Sequence, residues 1–246
     1  MKKVLALVLA AAMTIALTGC GEDSKSPAEV PEASGQTGAQ SAQADDRSPL
    51  ELAQEAYQAL DVAAGAADMV GSDICTAWHA AIWDADKVVD GGAAYLAERL
   101  TMEEDKIREG IAHMSFSETD GDWASITDEQ WEELRQNDGI FAEAEKQDTL
   151  FDCCINVVWA GYLESGIYDV MDERMALIKE NIRGLQEKDP ENEYIESLKE
   201  FYTVVHSYME WCKKPEGSYN EADELLSAYL DDYRSCRDAL EFDLGE

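Results

Sequence analysis

Positive charge is scarce in this sequence. Only 19 Lys and Arg stand against 53 Asp and Glu, a formal net charge of −34. Like charge repels nucleic acid and anionic lipid, so neither is expected as a direct partner of the folded part. Histidine is scarcer still, with three residues, His79, His113 and His206. None has Glu three places before it, which removes the paired Glu-x-x-His of di-iron bundles. The HExxH and GxSxG patterns and the glycine-rich phosphate loop are absent as well. Six cysteines are present, yet no two form a CxxC, so neither a thioredoxin-like site nor a Cys-rich zinc site is suggested. Long apolar runs are missing except one, Val4 to Leu17, which is too short for a comfortable membrane span.

That one run has a specific context. Met1-Lys2-Lys3 supplies a short positive start, small residues follow the apolar stretch, and the order is that of an export signal. It ends in Leu17-Thr18-Gly19-Cys20, which resembles the bacterial lipobox. The resemblance implies diacylglycerol on the Cys20 thiol and cleavage between Gly19 and Cys20. Residues 1–19 then form a lipoprotein signal peptide. The expected location is the extracytoplasmic face of the cell membrane, with a lipid anchor as the only membrane contact. Residues 20–48 follow as lipidated cysteine and tether. Ser, Ala, Gln, Gly, Glu and Pro dominate there, and such a chain cannot bury enough surface to fold. As a flexible coil its reach is about 30 Å.

Residues 49–246 are left with 47 acidic and 15 basic residues, once the two lysines of the signal and the eight charged residues of the tether are set aside. This net of −32 serves solubility, or attracts cations or a basic partner. The length suffices for one domain with a sizeable core. Its periodicity predicts an all-α fold, an antiparallel bundle of about five helices that ends in a helical hairpin. Ser48-Pro49-Leu50-Glu51 reads as a capping box with proline at the first helical position. From Ala53 to Val88 apolar and small residues recur at steps of four and three, predicting one continuous helix with one buried stripe up to Gly91-Gly92. A second helix is predicted over Ala93 to Met114. Thr127 with Gln130 marks another capping box. Asn137-Asp138-Gly139 interrupts the third stretch, and the pattern then continues to about Leu185 before Asp189-Pro190 breaks it. Tyr194 to Cys212 and Ala222 to Leu240 carry two matched seams around a turn at Lys213 to Ser218, the hairpin.

Five cysteines remain beyond Cys20. Cys212 lies beside the hairpin turn, and Cys236 stands roughly 25 Å up the returning helix at 1.5 Å per residue. A disulfide needs Cα atoms within about 7 Å, so these two are not expected to pair. Cys75 with Cys153 or Cys154 is the better-placed bridge; equally, all five fit small buried apolar positions.

The stretch Ser117 to Leu134 reads almost like a calcium loop. Numbered from Glu118, ligands fall at Glu118, Asp120, Asp122 and Glu129, with the Ala124 carbonyl between them. The sixth position, however, is Trp123 where the loop needs glycine, and the competing reading is a polar turn with a helix cap after it. Calcium is thus the only cofactor with any signal. Cys75 and His79, four apart on one helix face, can hold two corners of a zinc site only if other ligands come from elsewhere. Most of the aromatic residues suit a core, but Trp83 and Trp211 sit just off their stripes, where they can line a groove between helices.

Trp78-His79-Ala80-Ala81-Ile82-Trp83, the helix through Met171 to Leu185, and Pro215-Glu216-Gly217-Ser218-Tyr219 together resemble a loosely defined family of helical proteins of Firmicutes and their phages. That family carries a W-x-x-A-I-[WY] element early and a P-x-G-S turn before its last helix. The resemblance implies no activity; with a lipoprotein signal it implies a Gram-positive cell surface. The expectation is therefore a lipid-anchored, non-catalytic binding or interaction module of undefined protein or small-molecule partner. The rivals are a calcium-dependent surface module and, less well supported, a wall-active hydrolase using two carboxylates. So many carboxylates are present that no pair of them stands out.

Overall fold

The computed structural model describes residues 46–117 and 125–244. Cys20, most of the tether, and Glu118, Asp120 and Asp122 of the acidic loop lie outside the described residues. The described residues are helical throughout, with no strand: α1 (Pro49–Trp83), α2 (Ala85–Arg99), α3 (Glu104–Ser117), α4 (Asp128–Arg135), α5 (Gly139–Lys146), α6 (Leu150–Glu164), α7 (Ile167–Lys188), α8 (Tyr194–Lys213) and α9 (Tyr219–Leu244). None of these helices is long and apolar enough to cross a membrane.

The chain enters α1 as its sequence dictates. Ser48 accepts from the Glu51 amide, Glu51 answers on the Ser48 amide at 2.6 Å, and Pro49 occupies the first helical position. The two residues before the helix are already fastened to the body. Arg47 donates to the Asn181 Oδ1 of α7 at 2.9 Å and pairs with Glu55, and Lys188 bonds the Arg47 carbonyl.

Periodicity predicts one buried stripe on α1, but the helix is buried on most sides. Eighteen residues of α1 are buried, including all ten of its alanines, and it packs against α6, α7, α8 and α9. Small side chains permit that many neighbours. At Gly71 an added Cβ would lie 1.8 Å from the Tyr208 hydroxyl oxygen, so α8 is seated there only because the side chain is missing. Tyr208 stacks in turn on Tyr229 at 3.9 Å with rings 8° apart, and the Tyr229 hydroxyl donates to the Ala64 carbonyl at 2.8 Å. The pair binds α8, α9 and α1 together. Gly110 plays the same part between α3 and α6, where a Cβ would meet the Val157 carbonyl at 2.0 Å.

Three helical stretches are shorter than the periodicity predicts. α1 stops at Trp83, ahead of the expected break at Gly91-Gly92, which is present too: Gly92 takes φ 53° inside α2, and the Ala93 amide after it donates to Asp138 at 3.0 Å. Asp84 leaves the helical region at φ −126°, and its carboxylate accepts from Lys87 at 2.6 Å, which holds its pKa below the usual carboxylate range. The helix expected over Ala93 to Met114 is divided between α2 and α3 at Leu100 to Glu103. The cause is Asp73 of α1, only 2% exposed. Its carboxyl oxygens accept from the Thr101 amide (2.8 Å), the Thr101 hydroxyl (2.8 Å), the Met102 amide (2.9 Å) and the Tyr162 hydroxyl (2.7 Å). Two amides that a continuous helix would direct to its own carbonyls point instead at a side chain. The long run to Leu185 is broken twice, by Asp148 at φ 58° and by Gly166 at φ 72°. The interruption at Asn137-Asp138-Gly139, the end before Asp189 and the last two helices fall where the pattern places them.

Asp73→Ala strands two buried backbone donors and the Tyr162 hydroxyl. The expected loss is about 3 kcal/mol or more in urea unfolding, far above the cost of an exposed Asp→Ala change. A shift within 0.5 kcal/mol would show that water satisfies these donors.

Candidate functional site

Two segments far apart in sequence meet at the last turn of α1. His79 and Trp83 stand four residues apart on one helix face, with ring centroids 4.4 Å from each other. Tyr219 closes on both, 5.0 Å from Trp83 and 6.0 Å from His79, edge to face. The turn before α9 places that tyrosine. Gly217 takes φ 108°, and Ser218 and Glu221 cap the helix reciprocally, with the Ser218 amide donating to Glu221 at 2.7 Å. The Trp211 indole donates to the Glu216 carbonyl at 3.3 Å and steadies the same turn. Of the two tryptophans off their stripes, Trp83 therefore belongs to the groove, and Trp211 supports the loop that builds it.

Behind the aromatic group lies an open cleft of about 350 Å³. Ser72, Cys75, Thr76 and His79 form its α1 wall, at helical spacing; Tyr219, Asp223 and Leu226 form its α9 wall, and Arg99 comes from the end of α2. Trp83 at the rim is 57% exposed and the neighbouring Ile82 46%. By contrast, Trp78, one turn back, is buried in the core. The Nδ1 of His79 is enclosed and has no hydrogen-bond partner among the described residues. Arg99 is only loosely engaged, 3.8 Å from Asp84. Hydrogen-bonding groups of both signs thus surround the cavity, and the exposed indole of Trp83 lies against two of its lining rings, His79 and Tyr219.

Cys75 forms part of the floor. Burial, with a smaller contribution from the Asp223 charge, pushes its thiol up to about 12, so it is protonated at neutral pH and serves neither as nucleophile nor as ready metal ligand. Although Cys75 and His79 share the cleft, no group of three or more His, Cys, Asp or Glu among the described residues is placed to hold a metal ion. All five cysteines of the body are free thiols, so the expected bridge from Cys75 to Cys153 or Cys154 is not formed. The reason is geometric. Cys75 faces α9, whereas Cys153 lines a separate cavity among α3, α5 and α6 with Met114, Ile140 and Asp152. Of the acidic-loop residues only Glu129 is described; it stands exposed in the first turn of α4, whose cap is the Thr127–Gln130 box.

Two further cavities, of about 260 Å³ each, lack exposed aromatic rings. In one, between the start of α1 and the end of α9, Arg237 already faces Asp61 at 3.6 Å and Glu241 at 3.5 Å, so its charges satisfy each other.

Sequence reasoning found Trp83 and His79 but missed Arg99 and Asp223. Asp223 stands four residues after Tyr219 and shares its helix face, a readable spacing. Arg99 carried no signal, because the bend at Asp84 and the break after Leu100 position it. The chain matches no family model, and no curated protein or solved structure matches it either.

Trp83→Ala is expected to change unfolding free energy by less than about 0.5 kcal/mol, against roughly 3–5 kcal/mol for Trp78→Ala. Equal losses would place Trp83 in the core. Alkylation of the folded protein at pH 8, followed by peptide mapping, should leave Cys75, Cys154 and Cys212 unmodified while Cys153 and Cys236 react. Modification of the first three at the rate of the other two would mean that the helices around them open readily.

Proposed function

We propose that this chain is a lipid-anchored, non-catalytic binding module of the bacterial cell surface, and that it recognises its ligand at the cleft bounded by α1, α2 and α9. One observation carries the reading: Trp83, a large rigid amphipathic ring, is left exposed against His79 and Tyr219, two lining residues of a cavity whose other walls offer polar groups. An indole in that position costs solubility and adds nothing to the core, which is the pattern of a contact surface. The arrangement we propose for the body is an antiparallel bundle around α1 that ends in the α8–α9 hairpin.

The two sequence elements that resemble the Firmicutes and phage proteins, Trp78 to Trp83 and Pro215 to Tyr219, supply the three rings of the rim. Gram-positive bacteria are therefore the proposed setting.

Cys20→Ala is the variant that tests the anchoring. The protein should move from the membrane fraction to the soluble fraction, while Trp83→Ala stays with the membrane. Retention of the Cys20→Ala protein on membranes would contradict a lipid anchor.

A further inference from the structure

The chemistry of the cleft narrows its ligand. Three kinds of small ligand use exposed aromatic rings: organic cations, anions held beside an arginine, and neutral rings with one apolar face. A cation cage needs rings arranged around an empty centre. Here the rings of His79, Trp83 and Tyr219 lie against one another, 4.4 to 6.0 Å apart, and leave no space between them. Arg99 in the lining further disfavours a cation. An anion meets Asp223 at the cleft and a net charge of −34 on approach. A neutral ring meets neither obstacle.

The polar groups that line the cleft suit a polyhydroxylated ring, although Ser72 also donates to Asp68 at 3.2 Å and Arg99 lies 3.8 Å from Asp84. Trp83, 57% exposed beside the lining residues His79 and Tyr219, offers apolar ring surface next to the cleft. As a carboxylate Asp223 only accepts hydrogen bonds, Arg99 donates in a planar fork, and the Ser72 and Thr76 hydroxyls do both. A hydroxyl is at once donor and acceptor, so neighbouring hydroxyls on a ring can satisfy Asp223 and Arg99 together, which neither a pure donor nor a pure acceptor does. Resting on the binding-module reading, we propose that the cleft binds a neutral saccharide, with one pyranose ring lying on Trp83 and its hydroxyls held by Asp223 and Arg99.

The test uses the full chain in a sugar-free detergent, with tetrasaccharides of glucose and of N-acetylglucosamine as probes and choline and a lysine-rich peptide as controls. Indole N–H resonances are followed by NMR, with Trp83 assigned from Trp83→Phe. The expected result is a saturable shift of the Trp83 signal with at least one tetrasaccharide. Affinity, measured by calorimetry because Trp83→Ala has no Trp83 signal, should fall at least tenfold in Trp83→Ala and in Asp223→Asn and stay within twofold in Lys146→Ala, a distant surface change. Thermal melts establish that each variant is folded. Saccharide binding that survives Trp83→Ala in the calorimeter, or no shift with either tetrasaccharide, overturns the proposal. In the second case a shift with choline or the basic peptide would leave the binding-module reading standing. No shift with any of the four would remove the cleft's role as a recognition site as well.

Discussion

One buried carboxyl group decides how this molecule is put together. Asp73 sits about two thirds of the way along α1 with four donors around it, from the Thr101 amide and hydroxyl, the Met102 amide and the Tyr162 hydroxyl. A polar group so deeply buried is tolerated only when its partners are in place, and each partner comes from a segment that must be held elsewhere. The contact ends α2, starts the turn into α3 and docks α6, all against one residue of the central helix. Loss of that contact would leave α2 free to run on toward Met114, and Arg99 would no longer sit beside α9.

Around that point the body depends on small residues. α1 is surrounded by four helices because alanine and glycine let them approach, and the aromatic residues that fill the remaining space come from α8 and α9. Tyr208 over Gly71, Tyr229 on Tyr208 and Tyr233 on Asp61 form a continuous seam along α1. Its members are buried or half-buried. Where the seam ends, at Trp83 and Tyr219, the rings emerge into solvent, so one helix pairing serves both cohesion and recognition. The carbonyls at the end of α8 are met by side chains as well. The Trp159 indole bonds the Lys213 carbonyl at 2.8 Å and the Tyr168 hydroxyl bonds that of Cys212 at 3.2 Å, which holds the turn before Tyr219 in place.

Local chemistry was legible in the sequence and long-range chemistry was not. The Ser48–Glu51 and Thr127–Gln130 boxes are complete within four residues, and both form as read. The last two helices have strong periodicity between clear turns, and their limits are close to those expected. The break after Leu100 is imposed from Asp73, 28 residues earlier, and no periodicity reports it. Ser165-Gly166 was a readable turn signal. In the cleft, Trp83 stood out because it departs from the stripe of its helix. Arg99 and Asp223 became neighbours only through the bend at Asp84 and the turn at Gly217.

The dependence on Asp73 is open to one direct measurement, native-state hydrogen exchange at the Thr101 and Met102 amides. Both lie in a connection between helices, where exchange is ordinarily fast. If Asp73 holds the molecule together, these two amides will exchange as slowly as those in the middle of α1, through global unfolding alone. Exchange at the rate of an open surface turn would contradict that account.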